Sequence, residues 1–551
     1  MALNDSSGIG QARDNAEARP LQPWIGDPAQ PLRLPEPRRV SRPTEVLALV
    51  LIAVTALILR LATLDKDSLW IDEGYSLAAA NLPLSTMWSV PFDTHPALHF
   101  TFVKMFSWID DPEWAVRLPS VLFAMATLVP LYLLARRQLG NFGALVAITL
   151  WALSYTQIVH ANNGRNYTEL LFFLILALHA ISVLAERFAA GDLLRSTGVA
   201  GWAAVYGVGA LGALYTHNTA VLYLFALNGA LCAWQLFNAP RAVIPFSLRL
   251  AAVNALPLLL WMPWFAVMLT ATGGFNWLEQ KTIPQAVFTL AAVAGPNDMP
   301  ALAALAFFAV LAAGWALVVW RASLLNVLIA FHLAIYPAII WLVGFVYVPI
   351  FMERIILIAT LGVVLAIGAL AAKARPTLPA LGLSGLAVAI SLASASAYQL
   401  RGPSKENLGA HLIQDWREAI ADAENRTGET GAVGFTICDT FSWPVVATYA
   451  QAGTVYVHRP DEYWEMTMDD WLGLYGQPVD DRLETQLADM TGPTRSPAEL
   501  RNNYSRFVFL QKDIYCQGEE ADQIHDELTG AGFRKAESRD YRGLTAHDYV
   551  R

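Results

Sequence analysis

The chain has 551 residues, 55% of them hydrophobic and only 15% charged, with a mean hydropathy of +0.40. Soluble domains carry roughly 25% charged residues, so a string of soluble domains is excluded, as are a largely disordered chain and, with three cysteines, a disulfide scaffold. A net charge of −9 argues against nucleic acid as a partner and leaves a polytopic α-helical membrane protein.

Residues 1–43 hold seven prolines and no apolar periodicity, which predicts a disordered cytoplasmic tail rather than a signal peptide. Eleven apolar runs then approach the roughly 20 residues needed to cross a bilayer. They are 45–64, 116–135, 142–160, 167–185, 199–216, 219–237, 250–270, 301–320, 323–347, 351–372 and 378–397. Arginines and lysines fall in every other connection: Arg38, Arg39 and Arg42, then Arg136 and Arg137, Arg187 and Arg195, Arg241 and Arg249, Arg321, and Lys373 with Arg375. Positive residues collect on the cytoplasmic side. That places these loops inside and residues 398–551 outside; the short connections point to a bacterial inner membrane.

Residues 398–551 are richer in charge. Short β-type runs (Ala432–Cys438, Thr454–Val457, Arg506–Leu510) alternate with helical ones (Leu412–Ala423, Trp443–Ala450, Ala521–Leu528), which predicts a periplasmic α/β domain. Cys438 and Cys516 lie in it and could pair.

Ionisable residues break the pattern on the outer side. The first outer loop, 65–115, carries Asp72 and Glu73 after Trp70, then Asp93, His95 and His99. Its apolar residues predict surface helices over about 74–82 and 96–108. Arg117 opens the second span, Arg165 and Tyr167 stand between the third and fourth, His217 between the fifth and sixth, and Glu353-Arg354 opens the tenth. Arginines at outer span ends are costly unless paired or used. Each residue also has a plain structural explanation. Arg117 could pair with Glu113, Arg354 with Glu353, and Arg165 with Glu169. Asp72-Glu73 could cap a helix, and His217 could be a core histidine, as His160, His179 and His332 are read to be. His95 and His99 have the i, i+4 spacing of a metal pair, but no third ligand follows at a recognisable interval. A divalent cation stays an option, and no tightly bound cofactor is expected.

Together these groups suit an anionic, membrane-held substrate. Arginine binds phosphate through a planar fork of donors. A carboxylate among cations stays ionised and can take a proton from a hydroxyl or amine. Glycosyl transfer from a lipid phosphate meets both conditions, because phosphate is already a competent leaving group.

Trp70-Ile71-Asp72-Glu73-Gly74-Tyr75-Ser76, Asp93-Thr94-His95-Pro96, Arg117-Leu118-Pro119-Ser120, Gly164-Arg165-Asn166-Tyr167 and Leu214-Tyr215-Thr216-His217 resemble the GT-C superfamily of polyprenyl-phosphate-sugar-dependent glycosyltransferases. Within it they resemble the protein O-mannosyltransferase-like group, which includes the lipid A aminoarabinose transferase. The resemblance spans about residues 45–360. It implies an inner-membrane enzyme whose active site faces out, a lipid-linked sugar as donor, and a glycan, glycolipid or protein as acceptor. It makes Asp72 the catalytic carboxylate with Glu73 beside it, and puts His95, Arg165 and Arg354 near the lipid phosphate. It adds Asp93, Arg117, Tyr167, His217 and Trp70 as candidate donor- or substrate-binding residues, with no specific role for Arg117, and gives Arg60 a supporting one. The family's second proline is Ala97 here. Two other readings stand beside this one: a transporter or lipid flippase, and a non-catalytic sensor with 398–551 as its binding module.

Overall fold

The computed structural model describes residues 38–89, 95–270, 278–297, 300–319, 323–373, 377–401, 414–426, 433–437, 442–450, 455–457, 501–502, 504–512 and 518–551. Most of the predicted tail, with Asp93, Arg321, Arg375, Cys438 and Cys516, lies outside them.

The first helix, α1 (Arg42–Leu61), begins slightly inside the predicted tail. Ser41 caps it, accepting from Thr44 N–H, and Pro43 sits in its first turn. Three short helices follow in the first loop: α2 (Ile71–Asn81), α3 (Leu84–Ser89) and α4 (Leu98–Lys104). The second and third predicted spans form one unit, α5 (Pro112–Leu153), broken at Gly140 (φ 75°, ψ 177°), a conformation open to glycine. This unit is a hairpin. Ala152, near its end, accepts from Arg60 at the end of α1, and Arg117, near its start, bonds the residues just after α1. Its middle reaches the other end of α1, where Asn141 bonds Val40 and Glu45.

The remaining predicted spans correspond to α7 (Tyr167–Ala189, after the short α6, Tyr155–Ala161), α8 (Val199–Leu214), α9 (Ala220–Asn238), α10 (Val243–Thr270), α12 (Ala301–Val319), α13 (Leu324–Ala330) continuing through a π-helical turn into α14 (Tyr336–Val343), α15 (Ala359–Lys373) and α16 (Thr377–Arg401). Seven helical segments among the described residues are long and apolar enough to cross a membrane; α8, α12, α15 and the unpredicted α11 (Ile283–Ala294) are shorter. Two expectations change. Residues 351–358 are turns, so α15 begins only at Ala359 and Arg354 lies on irregular backbone. Residues 283–294 form a helix too short to read as a span; the Val293 carbonyl accepts from Thr156 and Thr360. Of the seven long segments, α7 is the most enclosed, with 83% of its apolar window buried, against 17% for α1; the shorter α15 is buried along almost its whole length. Apolar residues all round a helix mark one surrounded by others.

Residues 414–551 contain α17 (Trp416–Asn425), β1 (Val433–Ile437), α18 (Trp443–Tyr449), β2 (Val455–Val457), β3 (Arg506–Lys512), α19 (Glu519–Gly530), β4 (Arg534–Tyr541) and β5 (Leu544–Val550). The strand order is β2-β1-β3-β5-β4, with β1 parallel to β2 and β3, and β5 antiparallel to β3 and β4. Strand β3 shows the period of two. Phe507 and Phe509 pack with Ile524 and Leu528 of α19, while Val508 and Leu510 join the opposite core with Trp416 and Val445. Strand β4 was not legible because it is an exposed, charged edge with no buried face to pattern it, and β5 because it buries polar His547 and Asp548 beside its apolar residues, so no alternation marks it. The core on the α17–α18 side also takes Leu69, Ile71, Tyr75 and Phe100, so domain and first loop share one apolar interior.

Candidate active site

Four segments meet at the end of the bundle beneath this domain: the start of α2, residues 162–167, residues 215–219, and the turns at 351–358. Asp72 is in the first turn of α2, and its side chain is 30% exposed. Its Oδ2 lies 3.8 Å from Nε of Arg165 and 3.8 Å from Nη1 of Arg354. Both are contacts between charges rather than short hydrogen bonds. Arg165 is held from behind: its Nη1 donates to the Asp72 carbonyl and to Ser76 Oγ, each at 3.3 Å. Tyr167 hydrogen-bonds Arg165 and lies near Arg354. One carboxylate thus opens to a space flanked by two guanidinium groups.

Glu73 points the other way and is fully buried. Its Oε1 accepts from Arg117 Nε at 2.7 Å and from Gly164 N–H at 2.7 Å. Its Oε2 accepts from Arg117 Nη2 at 2.7 Å and from Trp70 N–H at 3.2 Å. It is therefore the N3 partner that closes the start of α2. Four donors surround this carboxylate, and its geometry is that of a clamp rather than of the second catalytic group expected from sequence.

Arg117 also differs from expectation. Besides Glu73, it donates to the carbonyls of Leu64 at 2.6 Å, Asp67 at 2.8 Å and Ser68 at 3.0 Å. Its five N–H groups are all used inside the protein, so none is left for a phosphate. Glu113 is not its partner; that carboxylate pairs with Arg417 of the C-terminal domain at 2.6 Å. Trp70 is likewise structural, its indole N–H donating to Asn163 Oδ1 at 3.1 Å.

His95 and His217 stack with ring centres 4.2 Å apart. His217 Nδ1 accepts from Thr219 N–H at 3.1 Å and lies 2.9 Å from Thr219 Oγ1. Its neutral form therefore carries the proton on Nε2. His99 does not join His95. It is buried between Glu169 (3.0 Å) and the Gly164 carbonyl (3.0 Å). Among the described residues, no group of three histidine, cysteine or acidic side chains could hold a metal. Arg60 bonds the carbonyls of Ala56 and Ala152.

Sequence reasoning missed His99, Glu113, Glu169 and Gly164 as the frame of this site. Buried carboxylates at the starts of apolar helices were the available sign, since such groups persist only with partners. Gly164 is fixed by contact: a Cβ there would lie 2.6 Å from Val116 Cγ2 and 3.0 Å from the Val116 carbonyl.

Residues 94–261 match the family model of dolichyl-phosphate-mannose-protein mannosyltransferases. No curated protein matches the chain in sequence. Among solved structures, the chain is similar to ArnT from Cupriavidus metallidurans in the apo state, with TM-score 0.58 and 13% identity over 92% of this chain and 98% of that one. The same protein bound to undecaprenyl phosphate gives TM-score 0.52 at the same identity and coverage. An Archaeoglobus fulgidus oligosaccharyltransferase in the apo form gives TM-score 0.45 and 13% identity, over 74% of this chain and 64% of that one. The family match covers residues 94–261, under a third of the chain; over nearly all of its length the chain shares the fold of ArnT, with several described helices long and apolar enough to cross a membrane.

Proposed function

We propose that the protein is an inverting glycosyltransferase that moves a sugar from a polyprenyl-phosphate donor to a hydroxyl or amine of an envelope glycan, lipid or protein. The observation that carries this is the half-open Asp72 carboxylate between Arg165 and Arg354. Asp72 takes the proton from the acceptor as its oxygen or nitrogen attacks the anomeric carbon. The bond from that carbon to the phosphate oxygen breaks, and its electrons leave with the polyprenyl phosphate. Attack opposite the leaving group inverts the centre. Arg165 and Arg354 neutralise the negative charge that grows on the phosphate, and Tyr167 steadies them. The stacked His95 and His217 line the donor's headgroup, with His217 offering its Nε2–H. Asp93, in the same loop, completes the substrate-binding set. Glu73, Arg117 and Trp70 hold the loop. The chemistry assigns charge stabilisation to arginine and requires no tightly bound cofactor.

The ArnT relative was solved with undecaprenyl phosphate, which supports a bacterial donor of that class. Basic residues lie at the end of the bundle opposite the site: Arg136 beside Glu45, Arg137 with Glu186, and Arg187 with Asp192. This supports a cytoplasmic N-terminus, with the site and the C-terminal domain on the periplasmic face of the inner membrane.

The test uses wild type and Asp72→Asn in lipid nanodiscs, with undecaprenyl-phosphate-linked hexose and pentose donors and a membrane glycolipid extract. Release of undecaprenyl phosphate by wild type alone supports the reading. Equal release by both removes Asp72 as the base. No release from either donor class by folded wild type overturns the proposed donor.

A further inference from the structure

The described part of residues 414–551 contributes nothing to the cluster around Asp72, yet it grips the segment that carries Asp72. Three elements meet at the buried carboxylate of Glu113, which is 1% exposed. Its Oε1 accepts from Arg417 Nη1 at 2.6 Å and from the Tyr449 hydroxyl at 2.6 Å. The same hydroxyl accepts the Leu69 N–H at 2.7 Å. Arg417 also donates to the Asp65 carbonyl at 3.0 Å, and Ser68 Oγ donates to the Gln414 carbonyl at 2.8 Å. Arg542 lies 3.1 Å from Asp67. A side chain at Gly74 would lie 2.7 Å from Val445 N, so α18 rests directly on the backbone of α2.

One turn beyond Glu113 stands Arg117, which holds the carbonyls of Leu64, Asp67 and Ser68 from the membrane side. Residues 64–69 are thus gripped from two sides: by Arg117 below, and by Arg417 and Tyr449 above. Asp72 follows three residues later, and its Oδ2 is only in loose contact with its arginines. Its position is therefore set by the backbone that leads to it.

We infer that the C-terminal domain is a positioning element of the active site, in which Arg417 and Tyr449, joined on Glu113, fix residues 65–69 and thereby aim Asp72. This rests on the reading of Asp72 as the base. It gives the domain a role in the chemical step itself, apart from any capture of acceptor. Removing either side chain leaves a buried polar group without its partner, a change that weakens local structure.

The experiment is hydrogen exchange on the full-length protein in nanodiscs, together with donor turnover, for Tyr449→Phe, Arg417→Gln and Arg417→Lys. Both Tyr449→Phe and Arg417→Gln are expected to raise exchange at residues 65–73 by about tenfold while β3 and β5 stay protected. Turnover is expected to fall by about tenfold with donor KM nearly unchanged, and Arg417→Lys to recover part of both. Where Arg417→Gln unfolds β3 and β5, Tyr449→Phe, which loses a single oxygen, decides the matter. Unchanged exchange at 65–73 overturns the inference, as does unchanged turnover in a variant whose loop has loosened. A loss confined to acceptor KM overturns it in favour of acceptor capture. Asp72→Asn is measured alongside. Full activity there sinks the assignment of the base, while the exchange data still decide whether the domain clamps the loop.

Discussion

Arg117 and Glu73 stand 44 residues apart in the chain and meet through two hydrogen bonds of 2.7 Å, with both side chains buried. The guanidinium spends its other donors on the loop's carbonyls, and the carboxylate accepts two backbone N–H groups. The pair is the fastening between the first loop and the bundle. Breaking one partner of a buried pair costs about 3–5 kcal/mol. Glu73→Gln and Arg117→Lys should therefore lower the thermal midpoint in detergent, while Asp72→Asn leaves it in place. A Glu73→Gln protein that keeps its midpoint and loses transfer would instead make Glu73 a participant in the chemistry.

Arg165 and Arg354 flank the open side of Asp72. Replacing either with Gln should raise the donor KM and lower turnover at least tenfold, with little change in the thermal midpoint. Lysine should restore only part of the loss, because an ammonium cannot present two parallel donors. Unaltered donor kinetics in a folded variant would remove that arginine from the site.

Gly164 offers a test by contact alone. Its N–H is taken by Glu73 and its carbonyl by His99, so the backbone cannot retreat. A methyl group there meets Val116, including its carbonyl oxygen, at 3.0 Å or less. Gly164→Ala should displace Arg165 and cost about 1–3 kcal/mol. The check is paired measurement of thermal midpoint and donor turnover; normal values of both would show that the loop yields easily.

The C-terminal domain should be sensitive to acid. His547 in β5 bonds Ser538 and Gln511 as a neutral ring, and burial pulls its pKa down to about 4. The unfolded chain takes up that proton near 6.5. Between these values the unfolded state binds more protons, so stability is complete above about pH 6.5 and is lost as pH falls toward 4. Protection factors of β5 amides, taken relative to the intrinsic exchange rate at each pH, should be lower at pH 4.5 than at pH 7, and His547→Gln should flatten that dependence. An unchanged pH profile in the variant would assign the sensitivity to other groups.

Much of this architecture is visible in the residues themselves. An apolar run near 20 residues has few fates, and a change from period 3.6 to period 2 marks where helices give way to strands. So the helical membrane domain and the first three strands could be read directly. Segments whose form depends on neighbours could not. Residues 351–358 are apolar enough to look helical, yet run as turns; α11 is too short to declare itself; β4 has no buried face.

The site divides in the same way. The order of residues already marks which charges are out of place: Asp72, Glu73, Arg117, Arg165 and Arg354 are costly beside a membrane and need partners or a use. Which of them are closed off by partners and which face an opening depends on contacts that form only in the folded chain. Glu73 and Arg117 satisfy each other in a dry interior, while Asp72, one residue away, turns to the opening with Arg165 and Arg354 beside it. The physical reason is that adjacent residues on a helix point about 100° apart, so neighbours in sequence face different surroundings. Partners drawn from 44, 91 and over 300 residues away decide what each carboxylate can do.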